Sequence, residues 1–313
     1  MAQSSRKTAN LRIGTRGSPL ALKQANMVRD ALAAAHGVPA DGIEIVVIKT
    51  TGDRIQDRPL ADSGGKGLFT KEIEDALLNG DIDLAVHSAK DLTTLLPQGL
   101  FLPACLPRED ARDAFISRKA ATLSALPHGA TLGTASLRRA AQVKRLRPDL
   151  KIVPLRGNVD TRLRKLDDGQ MDATILALSG LKRLGRADAA TSILEPHDFL
   201  PAVGQGAIAL QARENDGVTR ESLAAINHPA TLTALVAERA FLEMLDGSCR
   251  TPIAGHAIIR DGRLEFRGEA LTLDGRMTFT AERSGDLADA ARLGRDAGDE
   301  VKAKGGDHLR HLG

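Results

Sequence analysis

From Leu11 onward, strand-like and helix-like segments alternate. Leu11–Thr15 reads as a strand, a helix from Ser18 carries Ala21, Ala25, Val28 and Leu32 on one face, and Ile43–Lys49 reads as a strand again. That alternation places the chain in the α/β class, because each helix must bury its apolar stripe against the sheet its neighbouring strands form. Two runs narrow the choice further. Leu84-Ala-Val86 and Thr174-Ile-Leu-Ala-Leu178 are apolar at successive positions, the mark of parallel strands buried on both faces, so helices are expected to cover both sides. The pattern continues with a helix over Thr70–Asn79 closed by Gly80, a strand at Asp83–His87, and strands near Leu100–Ala104 and Asp113–Ser117. A loop-rich stretch, Pro196–Gly206, precedes a further strand at Ala207–Ala212 and reads as a domain crossing. The last third changes character. A helix over Pro229–Leu245, three alternating segments (Ile253–Ile259, Leu264–Leu271, Met277–Ala281) and a closing helix over Leu287–Lys304 predict an α+β domain of its own.

At 313 residues the chain has room for two or three domains at roughly 100–200 residues each. Met1–Asn10 is polar and no apolar stretch reaches the length of a membrane span, which predicts a cytoplasmic protein without membrane contact. Cys105 and Cys249 are too few for a disulfide framework and lack metal-ligand spacing, so no metal is expected. Trp and Tyr are absent, which removes the stacking platforms that single-stranded nucleic acids use.

Charge is concentrated although the total is only +3. Between Arg138 and Lys165 stand ten basic residues against two acids, Asp149 and Asp160. Within that window Gly133-Thr-Ala-Ser-Leu-Arg-Arg139 and Arg156-Gly-Asn-Val-Asp-Thr-Arg162 each read as a strand end entering a helix through an N-cap, Ser136 or Asn158. Lys144, Arg145, Arg147, Arg164 and Lys165 fit a solvated helix face. Arg138, Arg139, Arg156 and Arg162 sit near the helix starts, where cations oppose the dipole, and so point to an anion held there with backbone N–H groups. Thr15-Arg-Gly-Ser-Pro19 and His87-Ser-Ala-Lys-Asp91 read as two more anion-friendly helix starts. Four such ends at the carboxyl edge of a sheet suit a ligand with several carboxylates. Gly64-Gly-Lys-Gly67 lacks Walker spacing and reads as a glycine-rich lid. Asp91 within a cationic pocket would suit stabilisation of developing positive charge or proton transfer, against a plain ion pair with Lys90. His87 reads as a structural histidine. Cys249, in Leu245-Asp-Gly-Ser-Cys249-Arg250, has the loop and neighbouring cation of a reactive thiol, with a structural role equally open, whereas Cys105 reads as a core residue.

The phrases Ile13-Gly-Thr-Arg-Gly-Ser-Pro-Leu20, Gly64-Gly-Lys-Gly-Leu-Phe69, His87-Ser-Ala-Lys-Asp91, Gly133-Thr-Ala-Ser-Leu-Arg-Arg139, Leu155-Arg-Gly-Asn-Val-Asp-Thr-Arg162, Gly180-Leu-Lys-Arg183, Pro201-Ala-Val-Gly-Gln-Gly206 and Leu245-Asp-Gly-Ser-Cys249 occur in one order. In that order the chain resembles the porphobilinogen deaminase (hydroxymethylbilane synthase) family over essentially its whole length. The resemblance implies two periplasmic-binding-protein-like α/β domains plus a smaller C-terminal α+β domain, divided as 1–106 with 203–222, 107–202, and 223–313. It implies a transferase of tetrapyrrole biosynthesis that condenses four porphobilinogen units head to tail, with loss of ammonia, on a dipyrromethane cofactor held covalently by Cys249. Lys90, Ser88, Thr134, Ser136, Arg138 and Arg139 would bind that cofactor. Arg16, Ser18, Lys66, Arg156, Arg162, Arg183 and Gln205 would serve the substrate units, and Asp91 would stabilise positive pyrrole nitrogens. A monomer passing its product to a downstream synthase is a further expectation. Two positions depart from the family pattern: Ala89 stands where Met is common, and Asp62 where a second lid Lys is frequent. The competing readings are a two-lobed carboxylate-binding protein without catalysis and a nucleic-acid binder using the basic window.

Overall fold

The computed structural model describes residues 10–54, 67–245 and 251–310. The strands are, in chain order, β1 (Arg12–Thr15), β2 (Glu44–Val47), β3 (Leu84–Ser88), β4 (Leu100–Cys105), β5 (Asp113–Ser117), β6 (Thr131–Gly133) and β7 (Lys151–Val153). They continue with β8 (Ala173–Ala177), β9 (Ser192–Leu194), β10 (Ile208–Arg213), β11 (Ile253–Arg260), β12 (Arg263–Leu271) and β13 (Thr278–Asp286). Three sheets result, ordered β2-β1-β3-β10-β4, β7-β6-β8-β5-β9 and β11-β12-β13. Three strands have only three residues each: β6 and β7 were legible in the sequence as strand ends before the two capped helices, and β9 was not.

The two five-stranded sheets share one plan. In each, four strands run in one direction and the fourth in the order runs against them: β10 against β3 and β4, β5 against β8 and β9. The two apolar runs, in β3 and β8, each have one parallel and one antiparallel neighbour. Neither β5 nor β10 is reached by a helical crossover from a sheet neighbour, so nothing forces it parallel.

Burial on both faces holds. Leu84 and Val86 join a core with Ile13, Val28 and Leu210, while Ala85 between them joins Ile73, Leu77 and Leu100 on the other side. In the second sheet Phe115, Ala173 and Ile175 face one core, and Ala114, Ile116 and Leu176 the other. This is the period-2 alternation of a strand with an apolar residue at every position. The third sheet is an antiparallel meander backed by the helices Pro229–Met244 and Ala290–Gly305.

The described residues form two compact units: 10–54, 67–109 and 207–232 in one, and 110–206, 233–245 and 251–310 in the other. The second therefore contains both the second five-stranded sheet and the meander. No helix among the described residues is long and apolar enough to cross a membrane.

Three of the four expected helix starts exist. Ser18 caps Pro19–His36, its Oγ accepting the Ala21 N–H at 3.2 Å. Ser136 caps Leu137–Leu146 through the Arg139 N–H, and Asn158 caps Val159–Asp167 through the Thr161 N–H at 2.8 Å. The fourth differs. Ala89–Asp91 is a single 3-10 turn with no helix behind it, so its contribution comes from side chains and not from a dipole.

The solvated-face reading of the basic window also needs correction. Arg147 donates to the carbonyls of Leu123, Ser124 and Leu126 and pairs with Asp149. Arg145 reaches buried Glu269 and the Asp198 carbonyl. A guanidinium has five N–H donors in a fixed fork, and here they staple loops that would otherwise leave carbonyls unsatisfied.

Close helix packing in the second unit depends on glycine. A Cβ on Gly294 would lie 2.1 Å from the Ala237 carbonyl oxygen, and one on Gly298 would lie 2.5 Å from Met244 Cβ. Gly→Ala in a helix ordinarily stabilises by about 1 kcal/mol. Gly294→Ala is instead expected to destabilise by roughly 1–3 kcal/mol, because the clash is with backbone and the helix must move away. Urea unfolding followed by circular dichroism checks this, and a midpoint raised above wild type would contradict the packing.

Candidate active site

In the first unit, the carboxyl ends of β1 and β3 bring Arg16, Ser18, Ser88 and Asp91 to one cleft, together with Gln24, Phe69 and His87. Arg16 is the centre of this group. Its guanidinium lies 4.1 Å over the Phe69 ring and bonds Asp53 at 2.5 Å, while its other terminal nitrogen is 3.8 Å from Asp91 Oδ2. Thr50 Oγ1 donates to Asp53 at 2.8 Å. Burial acts to raise the Asp53 carboxyl, but the bonds from Arg16 and Thr50 outweigh it and hold the group below its ordinary range. Asp53 is thus committed to holding Arg16. Asp91, more than a third exposed, makes that 3.8 Å approach as its one ion pair among the described residues. Its charge remains available to a ligand in the cleft.

Ser88 Oγ and the Gln24 amide are hydrogen-bonded at 2.9 Å, which fixes the hydroxyl above β3. Lys90 is exposed on the same turn as Asp91. His87 Nε2 meets Gln211 Oε1 at 3.0 Å, and Gln211 Nε2 donates to Glu74 at 3.1 Å. Burial lowers the His87 pKa to about 4, so the ring is neutral at physiological pH and braces β3 against β10. Cys105 is fully buried at the end of β4 in the same sheet.

In the second unit the structure gathers Thr134, Ser136, Arg138, Arg139 and Gln205. Thr134 Oγ1 accepts the Ser136 N–H at 3.1 Å, shaping the turn into the helix. Both arginines are buried and meet at Asp113, which opens β5 and is itself fully buried. Arg138 Nη2 and Arg139 Nη2 each donate to Asp113 at 2.7 Å, and Gln205 Nε2 does so at 3.1 Å. Arg138 Nη1 bonds the Leu200 carbonyl at 2.7 Å, and its buried Nε–H has no partner among the described residues. Burial lowers the Arg138 pKa, with Asp113 acting in the opposite direction.

Asp113 was missed in the sequence. An acid opening an otherwise apolar strand was the available signal, and nothing in its spacing linked it to arginines 25 and 26 residues away.

The other predicted arginines stand apart from this pair. Arg162 Nε bonds the Gly157 carbonyl at 2.7 Å, Arg183 Nη2 bonds the Gly206 carbonyl at 2.6 Å, and Arg156 is half-buried just before the Asn158 cap. Lys66 and Cys249 lie outside the described residues, as does Asp62.

The donor set fits a group bearing carboxylates. Among the described residues, Arg138, Arg139 and Arg145 pair with Asp113 and Glu269, three cations to two acids, and Arg138 has a buried N–H with no partner among them. A buried guanidinium N–H left unpaired is costly, and an ionised acceptor is the partner that removes the cost most fully.

Comparison with known proteins agrees. Residues 11–221 match the family described as "Porphobilinogen deaminase, dipyromethane cofactor binding domain", and residues 232–303 match "Porphobilinogen deaminase, C-terminal domain". Porphobilinogen deaminases from Nitrobacter winogradskyi and Nitrobacter hamburgensis are each 59% identical over 295 residues, covering 94% of this chain and 93% of theirs. Among solved structures, a periplasmic substrate-binding protein of an ABC transporter from Coxiella burnetii is similar at 16% identity and a TM-score of 0.44, over 73% of this chain and 96% of that one. A likeness that loose adds nothing to what the sheets already show. With matched family domains over most of its length and 59% identity to curated members, the chain belongs to the porphobilinogen deaminase family, transferases that carry a dipyrromethane cofactor.

Proposed function

We propose that this enzyme condenses four porphobilinogen units head to tail into hydroxymethylbilane, with the work divided between the two clusters: Asp91 stabilises charge on the reacting nitrogens, and the arginines hold side-chain carboxylates. The observation that supports this division is the difference between the two acids beside Arg16. Asp53 takes its close hydrogen bonds and Asp91 does not.

A dipyrromethane joined to Cys249 supplies the pyrrole carbon from which the chain is extended. Thr134, Ser136, Arg138 and Arg139 would hold its carboxylates from the second unit, with Lys90 and Ser88 assigned to it by their motif. Arg16, Ser18, Lys66, Arg156, Arg162, Arg183 and Gln205 would receive the acetate and propionate groups of incoming units. At each addition ammonia leaves the aminomethyl group, the free α-carbon of the chain forms a carbon–carbon bond to that methylene in place of the carbon–nitrogen bond, and the same α-carbon then gives up its proton. Positive charge therefore develops on pyrrole nitrogen, where a carboxylate such as Asp91 lowers the barrier and can take or steer the proton. His87, neutral and bonded to Gln211, adds no competing cation beneath that position.

The three-domain division into 1–106 with 203–222, 107–202 and 223–313 is part of this reading, supported by separate cores for the three sheets. So are a cytoplasmic location, a monomeric state and passage of the product to a downstream synthase. The hydroxymethyl end of the product, activated by its pyrrole ring, favours prompt consumption.

Incubation of the purified protein with porphobilinogen tests the function. One ammonia released per unit consumed is expected, together with a two-pyrrole adduct on the denatured chain. Retention of the ligand with neither result would leave a carboxylate-binding protein.

A further inference from the structure

Asp113 is the point at which three parts of the second unit meet. It opens β5, immediately after the chain enters that unit, and takes hydrogen bonds from the start of the helix Leu137–Leu146 and from the Pro201–Gly206 loop through Gln205. It is 0% exposed, and Arg138 and Arg139 beside it are 6% exposed. Its two oxygens are divided between the arginines. Oδ2 receives Arg138 Nη2 at 2.7 Å, and Oδ1 receives Arg139 Nη2 at 2.7 Å and Nε at 3.1 Å.

We infer that Asp113 is the positioning residue of the cofactor site: it holds Arg138 and Arg139 side by side, against their mutual repulsion, in the orientation from which they grip a dipyrromethane carboxylate. This rests on the reading that the arginine pair binds the cofactor.

Three observations support it. Two like charges buried together diverge unless a counter-charge lies between them, and Asp113 bonds both. Arg138 is fixed at a second point by the Leu200 carbonyl, so its direction is defined, yet its Nε–H remains unused among the described residues. Gln205 spends its amide on Asp113 and on the Ala111 carbonyl at 2.7 Å, and is itself fully buried. Through that amide it braces the carboxylate. A second-layer carboxylate that orients first-layer ligands is a recurrent device in binding sites.

The test uses full-length apo-protein, made in cells unable to form porphobilinogen and then supplied with porphobilinogen. Adduct formation is followed by the mass of the denatured chain, and folding by circular dichroism. Asp113→Asn keeps the shape and removes the charge. It is expected to fold yet acquire the adduct at least tenfold more slowly per folded chain, and Asp113→Glu is expected to recover part of that rate. A purely structural role would lower the melting temperature and leave the rate per folded chain unchanged.

Adduct formation at the wild-type rate in folded Asp113→Asn overturns the inference. If the Asn chain does not fold, Asp113→Glu decides: slowed formation supports positioning, because the charge has moved by one methylene, and a wild-type rate overturns it. Arg138→Leu is measured in parallel. Normal adduct formation there defeats the underlying reading of the arginine pair, whereas a block in Arg138→Leu with a normal rate in Asp113→Asn defeats only the positioning role.

Discussion

Cys249→Ala is expected to remove the covalent adduct and all turnover, while Cys105→Ala keeps both. The chain has two cysteines, and the fold disposes of one of them. Cys105 ends β4 of the first sheet at 0% exposure, and its backbone N–H is tied to Asn227 Oδ1 at 3.0 Å. A thiol there cannot meet a pyrrole without opening the core. Cys249 follows the helix Pro229–Met244 in sequence and has Arg250 beside it. The effect is all or none because a covalent primer cannot be replaced by weaker binding. Denatured mass and ammonia release measure it. An adduct mapped to Cys105, or full turnover in Cys249→Ala, would reverse the assignment.

Asp91→Asn should leave the adduct in place and reduce turnover by about two orders of magnitude or more, the scale of losing one preorganised electrostatic partner of a reacting centre. Two acids flank Arg16, and they should behave differently. Asp53 is bonded to Arg16 and Thr50, so its removal would loosen Arg16 and weaken substrate capture. Asp91 approaches Arg16 only at 3.8 Å, so its loss should cost chemistry more than binding. Asp91→Glu retains the charge in a displaced position and should fall between Asn and wild type. Steady-state ammonia release on protein confirmed to carry the adduct makes the comparison. Wild-type turnover in the Asn variant would leave Asp91 as a structural neighbour of Arg16.

The roles of individual residues were legible to different degrees. Ser18, Ser136 and Asn158 were readable as caps because a cap is a local device, settled within three residues of chain by a side-chain oxygen and a free N–H. The His87 motif misled for the same reason in reverse. Its residues suit a helix start, but the chain makes one 3-10 turn there and then turns away from helix at Leu92. Arg147 was placed on a solvated face because its neighbours in sequence are basic, and the carbonyls it staples, at Leu123, Ser124 and Leu126, come from a segment about twenty residues earlier.

What the sequence by itself determined was the α/β class, the separate C-terminal meander, most of the longer strands and helices, and the family with its dipyrromethane cofactor. These follow from periodicity, caps and motif order, all of which are written along the chain. Tertiary structure alone decided the antiparallel fourth strand of each five-stranded sheet, the bond of Asp53 to Arg16, and the burial of Arg138 and Arg139 around Asp113. Each of these joins residues from distant parts of the chain. A buried charge takes whichever counter-charge the packing of its core brings within hydrogen-bond reach, and that proximity is set by how sheets and helices stack, which no local pattern of residues records.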